Sequence, residues 1–366
     1  MIKLTTLLAE AKLKLNIPSD IKKIYKLFKK NGKQLYVVGG AVRDAVLGKT
    51  PKDFDLATDA KPDEVLQIAK QGGFKTVEVG KSFGVVIVGG HEIATFRKDI
   101  GKGRRPTAVD YTDIRGDVMR RDLTINALFY DMGRGEIVDL VGGIADLKKK
   151  QVRTVGSPSE RFDEDPLRKL RAVRFAGTIG GKMTPETWKA LQKNPDISKV
   201  SKERIRDEFI KGIQKAQNPD KYLKMVQKLG MFKQIFPGLR INMKFIKVDN
   251  YIVQITNILK NNSWGIVQKK LNSLKYTNQE VKDIVHLLKM SKFKPNEIIV
   301  IKKEQENTKL TDRQVKMWAN ASGKSSMVLK IWKFKLTVSP QDAIKQGLKG
   351  KAIGDYILKK EKELFK

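Results

Sequence analysis

The chain has 366 residues, 40% of them hydrophobic and 31% charged, a balance typical of a globular protein with an ample core. It contains no cysteine, which excludes disulfide bonds, thiolate metal sites and cysteine nucleophiles. The 74 lysines and arginines outnumber the 40 aspartates and glutamates and give a formal net charge of +34. This excess predicts a polyanionic partner such as RNA or DNA; a lysine-rich solvated surface is the alternative explanation.

The sequence predicts neither a membrane span nor a targeting segment. No run approaches the roughly 18 apolar residues that a membrane helix needs, and residues 1–10 lack the apolar segment of a signal peptide. We therefore expect a cytoplasmic location and no membrane binding. The sequence predicts no protein partner, and its length indicates two or three domains.

Periodic apolar residues predict mixed α and β structure in the first part of the chain. Residues 1–34 are predicted to be helical, with the helix ending at Asn31-Gly32. Strands are predicted at residues 35–38, 54–57, 74–79, 85–88 and 92–96, and helices at residues 41–47 and 62–71.

The polar segment that follows differs in composition from the strands before it. Residues 98–117 are rich in glycine and arginine, which predicts a mobile loop.

Beyond residue 160 the strand signals fade, and pairs containing glycine or proline divide the chain into helices. The predicted fold class is therefore α+β, with a mixed α/β head followed by an all-α body.

Two acidic residues occupy alternate positions around the second predicted strand. Side chains alternate between the faces of a strand, so Asp53 and Asp55 share one face while Phe54 packs on the other. Neighbouring carboxylates repel each other unless a cation lies between them, and hard oxygen ligands suit Mg²⁺. The pair predicts a two-metal site that activates an attacking hydroxyl and neutralises a leaving pyrophosphate; solvated surface charge is the alternative.

Two further features extend this candidate site. Gly39-Gly40 follows a strand and opens a helix, where free backbone N–H groups can bind phosphate, and Arg43 lies one turn into that helix. An ordinary strand–turn–helix glycine pair is the alternative.

Glu92 shares a face of its strand with core-facing residues, where an unpaired acid is costly. It is either a third metal ligand or the first residue of the strand at its solvent edge.

Five ordered stretches of sequence form a recognisable set. They are residues 35–44 with 53–58 (LYVVGGAVRD and DFDLAT), 91–97 (HEIATFR), 120–127 (RRDLTINA), 161–176 (RFDEDPLRKLRAVRFA) and 202–208 (KERIRDE). In order and spacing they resemble the motifs of class II tRNA nucleotidyltransferases and bacterial poly(A) polymerases. The resemblance implies a polymerase-β-like nucleotidyltransferase head at residues 1–158. It also implies a helical neck at 159–240 that selects the nucleotide, and a helical body at 241–366 that binds tRNA.

The resemblance also implies roles for individual residues. The implied metal-binding and catalytic carboxylates are Asp53, Asp55 and Glu92. Arg121, Asp122 and Asn126 are implied to contact the incoming nucleotide. An arginine fork suits phosphate, and Asp or Asn side chains can hydrogen-bond a ribose 2′-hydroxyl. The alternative is a helix N-terminus at which Asp122 is the cap and the arginines are solvated.

The 161–176 stretch is the most informative of the five. Asp165 and Arg168 lie three residues apart, on one face of a predicted helix, and Glu164 can hold the Arg168 guanidinium in place. In the family such a pair reads the Watson–Crick edge of the incoming base. A helix with internal ion pairs is the alternative. Arg171 and Arg174 continue the basic side and would contact triphosphate or RNA, or remain solvated.

The predicted reaction is CCA addition to tRNA from CTP and ATP, with Mg²⁺ as cofactor. Residues 79–88, with a second glycine at Gly84, look closer to the tRNA enzymes than to the poly(A) polymerases. Residues 102–106 only loosely resemble the arginine-rich loop that influences the switch from C to A. A poly(A) polymerase, a partial CC- or A-adding enzyme and a non-catalytic RNA-binding protein of the same fold are the alternatives.

Overall fold

The computed structural model describes residues 11–12, 15–101 and 108–365. The chain divides into two compact units, Met1–Lys199 and Val200–Lys366. In its described part, the first unit combines β-sheet with helices and the second unit is helical. The finer division into residues 1–158, 159–240 and 241–366 remains a prediction.

The first unit contains twelve strands and eight α-helices in its described residues. The strands are β1 (Ala11–Lys12), β2 (Leu35–Val38), β3 (Asp55–Thr58), β4 (Thr76–Gly80), β5 (Val85–Val88), β6 (His91–Thr95), β7 (Arg97–Ile100), β8 (Ala108–Tyr111), β9 (Phe129–Asp131), β10 (Glu136–Val138), β11 (Gln151–Val152) and β12 (Lys182–Met183). The helices are α1 (Ser19–Lys30), α2 (Gly40–Val46), α3 (Pro62–Gln71), α4 (Ile114–Arg120), α5 (Gly143–Lys148), α6 (Pro158–Glu164), α7 (Leu167–Thr178) and α8 (Pro185–Lys193).

Eight of these strands form one mixed sheet in the order β1-β10-β9-β2-β3-β6-β5-β4. The β3–β6 pair is parallel, and the other neighbouring pairs are antiparallel. In the centre of the sheet Val37 pairs with Leu56, and both side chains are almost completely buried. The next pair, Val38 with Asp55, brings the end of β2 beside the start of β3.

The predicted elements of the head are largely confirmed. The strands at residues 35–38 and 85–88 and the helix at 62–71 have the predicted bounds. In α3, Pro62 occupies the first turn and Glu64 accepts a hydrogen bond from the N–H of Lys61 at 2.8 Å, which caps the helix.

Two predictions on the head are corrected by the structure. The helix predicted over residues 1–34 begins only at Ser19. Pro18 before it is extended, with φ −54° and ψ 149°, and a proline disfavours the helical conformation in the residue that precedes it. Ala11–Lys12 instead pairs with β10, and residues 1–10 and 13–14 lie outside the described residues.

The mobile loop predicted at residues 98–117 is wrong for the residues that the structure describes. The strands β7 and β8 form an antiparallel hairpin with Lys98 opposite Asp110, and α4 follows. Most side chains of this hairpin are exposed, so no alternation of apolar and polar residues marks it in the sequence. Residues 102–107, which include the arginine-rich stretch 102–106, lie outside the described residues.

The second unit packs helices around an aromatic core. The helices are α9 (Lys202–Lys215), α10 (Pro219–Lys228), α11 (Phe232–Ile235), α12 (Tyr251–Leu259), α13 (Trp264–Ser273), α14 (Asn278–Ser291), α15 (Ile298–Gln305), α16 (Asp312–Ser322), α17 (Ser325–Lys333), α18 (Pro340–Ile344) and α19 (Lys351–Phe365). The Phe209 ring packs edge-on against Phe236 at 5.4 Å between centroids, and the buried Trp318 indole donates to the carbonyl of Leu287 at 2.7 Å. None of the described helices has the length and apolar character to cross a membrane.

One buried histidine makes the stability of the second unit depend on pH. His286 in α14 is 2% exposed, and neither ring nitrogen has a hydrogen-bond partner among the described residues. Burial, together with the nearby charges of Lys302 and Lys289, lowers the pKa of His286 from 6.5 to about 4. Protonation of His286 therefore favours the unfolded state. The contribution of neutral His286 to the free energy of unfolding is fully present above pH 6.5 and is lost as the pH falls towards 4.

We expect the free energy of unfolding to fall by about 2 kcal/mol between pH 7 and pH 5 because of this group. Urea unfolding followed by tryptophan fluorescence measures it. The variant His286→Phe removes the titrating group and should show a smaller decrease over the same range. An equal decrease in the variant would show that other groups cause the pH dependence.

Candidate active site

Asp53 and Asp55 lie at the amino end of β3. Asp55 is the first residue of the strand, and Asp53 precedes it by two residues. Both side chains are exposed, whereas Phe54 between them is buried. The alternation expected from the sequence is present, although the strand begins later than residue 54.

The two carboxylates are near enough for their charges to interact. No hydrogen bond or ion pair joins either of them to another residue in the described part of the chain. Desolvation raises the pKa of Asp55, Arg121 lowers it and Asp53 raises it again, and the result is an elevated pKa. Crowded carboxylate oxygens without a partner fit Mg²⁺, which binds one or two protein carboxylates together with phosphate oxygens.

Glu92 lies on β6, the parallel neighbour of β3. Ile93 pairs with Leu56, so Glu92 and Asp55 each precede the same pair and project from the same side of the sheet. The Glu92 side chain is exposed. Within the described residues, no three His, Cys, Asp or Glu side chains converge to hold a metal. Glu92 thus shares a side with Asp55 without forming a preformed ligand cluster with the aspartate pair.

The glycine turn lies next to this aspartate pair. Gly39 links β2 to α2 with a φ of 68°, a conformation that favours glycine, and Gly40 is the first residue of α2. A Cβ at Gly39 would lie 3.6 Å from Nη1 of Arg121. Because Val38 pairs with Asp55, the turn lies beside both a carboxylate and a guanidinium.

Asp117 anchors Arg121. It is fully buried on α4, and its Oδ2 accepts hydrogen bonds from Nε and Nη2 of Arg121 at 3.1 and 2.9 Å. Its Oδ1 accepts from Nε of Arg120 at 2.8 Å. Burial would raise the pKa of Asp117, but the two arginines outweigh it and lower the pKa below its usual value. Asp117 is not among the site residues predicted from the sequence, although its position four residues before Arg121 on a helix is a signal for an ion pair.

A chain of hydrogen bonds connects Arg43, Asn126, Asp122 and Arg171. Nη1 of Arg43 donates to Oδ1 of Asn126 at 2.7 Å, and Nδ2 of Asn126 donates to Oδ1 of Asp122 at 3.3 Å. Oδ2 of Asp122 accepts from Nε of Arg171 at 2.6 Å. Burial would raise the pKa of Asp122, but Arg171, Asn126 and Arg168 together outweigh it and the pKa is lowered. Asp44, which is also absent from the predicted site residues, pairs with Arg43 at 2.8 Å.

Arg168 is fixed from two sides. Its Nη1 donates to the carboxylate of Glu164, the contact expected from their spacing, and its Nη2 donates to the carbonyl of Arg120 at 3.2 Å. Asp165 is 9% exposed and follows α6, and its Oδ1 accepts from the N–H of Leu167 at 3.1 Å. Asp165 therefore precedes α7 and accepts from its first N–H, instead of lying on a face of that helix with Arg168.

Arg171 and Arg174 on α7 both lie against the ring of Phe175. The structure thus connects most of the predicted arginines through carboxylates, an amide and one aromatic ring. Asp53, Asp55 and Glu92 remain outside this bonded network. The roles predicted for all of these residues remain predictions.

Two family models and several curated relatives match parts of this chain. A family model described as the Poly A polymerase head domain matches residues 35–153, and one described as a probable RNA and SrmB-binding site of polymerase A matches residues 181–242. The CCA-adding enzyme of Bacillus licheniformis is 41% identical over 219 residues, and that of Bacillus subtilis 44% identical over 191 residues. Through these matches the chain resembles the tRNA nucleotidyltransferases and bacterial poly(A) polymerases, and residues 35–153 match their head domain.

The chain spans about half the length of these curated relatives. The two matches cover 58% and 50% of this chain, and 53% and 47% of the Bacillus licheniformis and Bacillus subtilis enzymes.

Solved structures share the fold over most of the chain. The Bacillus stearothermophilus CCA-adding enzyme in complex with CTP gives a TM-score of 0.67 at 23% identity, over 95% of this chain and 92% of that one. The Thermotoga maritima CCA-adding enzyme complexed with tRNA gives 0.68 at 22% identity, over 95% and 92%. The predicted fold class, a mixed-sheet nucleotidyltransferase head followed by helical regions, is confirmed.

The variant Asp117→Asn tests the arginine anchor. It leaves two guanidinium groups without their buried counter-charge, so we expect the free energy of unfolding to fall by about 3 kcal/mol at pH 7. The pKa of Asp117 is lower in the folded state than its ordinary value of 3.8. The contribution of Asp117 to the free energy of unfolding is therefore present above pH 3.8 and is lost as the pH falls through the pKa of the folded state. The difference from the wild type should therefore narrow in acid.

Urea unfolding followed by circular dichroism measures this difference. Asp110→Asn, on the exposed surface of β8, is the matched control and should change stability by no more than about 0.5 kcal/mol. An Asp117→Asn effect no larger than that of the control would contradict the anchoring role.

Proposed function

We propose that this chain is a template-independent RNA 3′-end nucleotidyltransferase that adds CCA to tRNA from CTP and ATP and releases pyrophosphate. The observation that carries the proposal is the exposed pair Asp53 and Asp55, beside the Gly39 turn and the guanidinium of Arg121. The names of the relatives as CCA-adding enzymes support this reaction. The net charge of +34 supports RNA as the polyanionic partner.

Asp53 and Asp55 are proposed to hold Mg²⁺, with Glu92 as a third carboxylate on the same side of the sheet. When bound, Mg²⁺ favours ionisation of the attacking 3′-hydroxyl and offsets the charge of the leaving pyrophosphate. Both aspartate side chains are exposed to solvent. Desolvation raises the pKa of Asp55, and the charge of Arg121 opposes that rise. Asp55 is thereby held closer to its metal-binding, ionised form.

Phosphate binding is assigned to guanidinium groups and to the Gly39-Gly40 turn. The N–H of Gly39 already donates to the carbonyl of Leu128 at 3.0 Å, so the backbone donor assigned to phosphate is the N–H of Gly40. The proposed arginines are Arg43, Arg121, Arg171 and Arg174. Three of these arginines are already oriented by carboxylates before any nucleotide arrives. A triphosphate then meets donors that need little reorganisation, which is the main source of electrostatic stabilisation in phosphoryl transfer.

The sugar and the base are assigned to separate groups. Asp122 and Asn126 are proposed to hydrogen-bond the ribose 2′-hydroxyl, since together they offer both an acceptor and a donor. Asp165 and Arg168 are proposed to read the Watson–Crick edge of the base. Glu164 holds the Arg168 guanidinium, so the donor fork has a fixed direction.

The three-part division is part of the proposal. Residues 1–158 are assigned to catalysis, 159–240 to nucleotide selection and RNA binding, and 241–366 to tRNA binding. The family model for RNA binding at residues 181–242 supports the middle assignment. A cytoplasmic location follows from the proposed substrates, tRNA and nucleoside triphosphates.

A poly(A) polymerase is the second candidate, because the head domain model carries the name of that enzyme. A partial CC- or A-adding enzyme uses the same groups on the same RNA. Sequencing the nucleotides added to the 3′ end separates these products. A non-catalytic RNA-binding protein would bind tRNA with a steep salt dependence and add nothing.

Purified protein with Mg²⁺, CTP and ATP should extend a tRNA that lacks its 3′ CCA by those three nucleotides. The double variant Asp53→Ala with Asp55→Ala should lose at least about a thousandfold in rate, because the metal ligands are removed. Glu186→Ala, an exposed carboxylate on α8, is the control and should keep wild-type activity. Extension that survives the double substitution would refute the assigned metal site.

The variant Arg168→Ala tests base selection. Loss of one base-reading fork should reduce discrimination against UTP by about 10- to 100-fold, as expected for a bidentate base contact. Single-nucleotide incorporation of CTP, ATP and UTP measures this ratio. Lys189→Ala, an exposed cation on α8, should leave the ratio unchanged. If Arg168→Ala slows all three nucleotides equally, Arg168 does not select the base.

A further inference from the structure

One aromatic ring contacts three of the arginines assigned to phosphate. Phe175 on α7 is 4% exposed. The guanidinium carbons of Arg43, Arg171 and Arg174 lie 5.0, 5.4 and 3.9 Å from the centre of its ring. Each distance is within the roughly 6 Å over which a cation is attracted to an aromatic face.

The ring also completes a closed circuit of side chains. Hydrogen bonds connect Arg43 to Asn126, Asn126 to Asp122, and Asp122 to Arg171. Phe175 connects Arg171 back to Arg43, and so joins α7 to α2. Asn126 accepts from Arg43 and Asp122 accepts from Arg171, and the same two guanidinium groups lie over the ring.

An aromatic ring can orient a guanidinium without using its N–H donors, whereas a carboxylate would occupy them. The ring attracts a guanidinium through its negative face and fixes its plane, yet it forms no hydrogen bond with the N–H donors. It also lies among three cations that would otherwise repel one another. The ring therefore orients the arginines while its contact leaves their donors for other partners.

We propose that Phe175 is a positioning residue that holds Arg43, Arg171 and Arg174 in the arrangement that binds the nucleoside triphosphate. The proposal rests on the proposed function, which assigns these arginines to phosphate. Phe175 acts through them and does not itself touch the nucleotide. Weakening the negative face of the ring should therefore weaken nucleotide binding even when the size of the ring is preserved.

The decisive test replaces Phe175 in the full chain with 4-fluoro-, 3,5-difluoro- and 3,4,5-trifluorophenylalanine. Each added fluorine weakens the cation–π attraction with little change in shape. The Kd for CTP with Mg²⁺, measured by titration calorimetry, should rise stepwise, to about tenfold at three fluorines. A Kd that stays constant across the series would overturn the proposal, because a ring that only fills space keeps its role in all three variants.

A pair of leucine variants provides the matched control for packing. Phe175→Leu should raise the Kd for CTP by about tenfold or more. Phe28→Leu, at a fully buried ring on α1, should lower the melting temperature and leave the Kd unchanged. An equal rise of the Kd in both variants would assign the effect to general loosening of the core and overturn the proposal.

Extension of tRNA by the same proteins separates this proposal from the proposed function. If the wild type binds CTP but extends no RNA, the proposed function fails, and the fluorinated series still decides the role of Phe175. If the wild type extends RNA and the Kd for CTP is the same in all fluorinated variants, the proposed function stands and the positioning role of Phe175 fails.

Discussion

The candidate site depends on the pairing of its arginines with carboxylates. The pairs are Arg43 with Asp44, Arg121 with Asp117, Arg168 with Glu164 and Arg171 with Asp122. A guanidinium removed from water without a counter-charge costs several kcal/mol, so a group of arginines in a partly buried site requires such partners. The same carboxylates orient the arginines, and a site assembled in this way needs little reorganisation when an anionic ligand binds.

The sheet and one short turn bring these pairs together. The antiparallel β2–β3 pair places the glycine turn beside Asp55, and the parallel β3–β6 pair places Glu92 on the same side. Thr124 begins the 3-10 turn that carries Asn126 and donates to Asp146 at 2.6 Å. The buried Asp146 also accepts from Arg153 at 3.0 Å, so hydrogen bonds outside the nucleotide network hold the turn that carries Asn126.

Sequence identity and fold similarity to known proteins extend over different fractions of the chain. Identity of 41% and 44% to the two CCA-adding enzymes extends over about half of each chain, whereas the fold extends over 95% of this chain at 22–23% identity. A fold requires a pattern of buried apolar residues and tolerates many substitutions that keep volume. Reaction chemistry requires particular side chains at particular distances. The architecture can therefore be kept over most of the chain while clear sequence identity extends over only about half of it.

The sequence by itself determined the local features: the alternation at Asp53, Phe54 and Asp55, the glycine turn, the mixed head and the helical remainder. These follow from periods of two and 3.6 residues and from the backbone freedom of glycine, which short stretches encode. Only the tertiary structure decided that Arg171 pairs with Asp122, 49 residues away, and that Phe175 joins α7 to α2. It also revealed the β7–β8 hairpin, whose exposed side chains carry no periodic signal. Such contacts depend on how distant segments pack, and no local period records that packing.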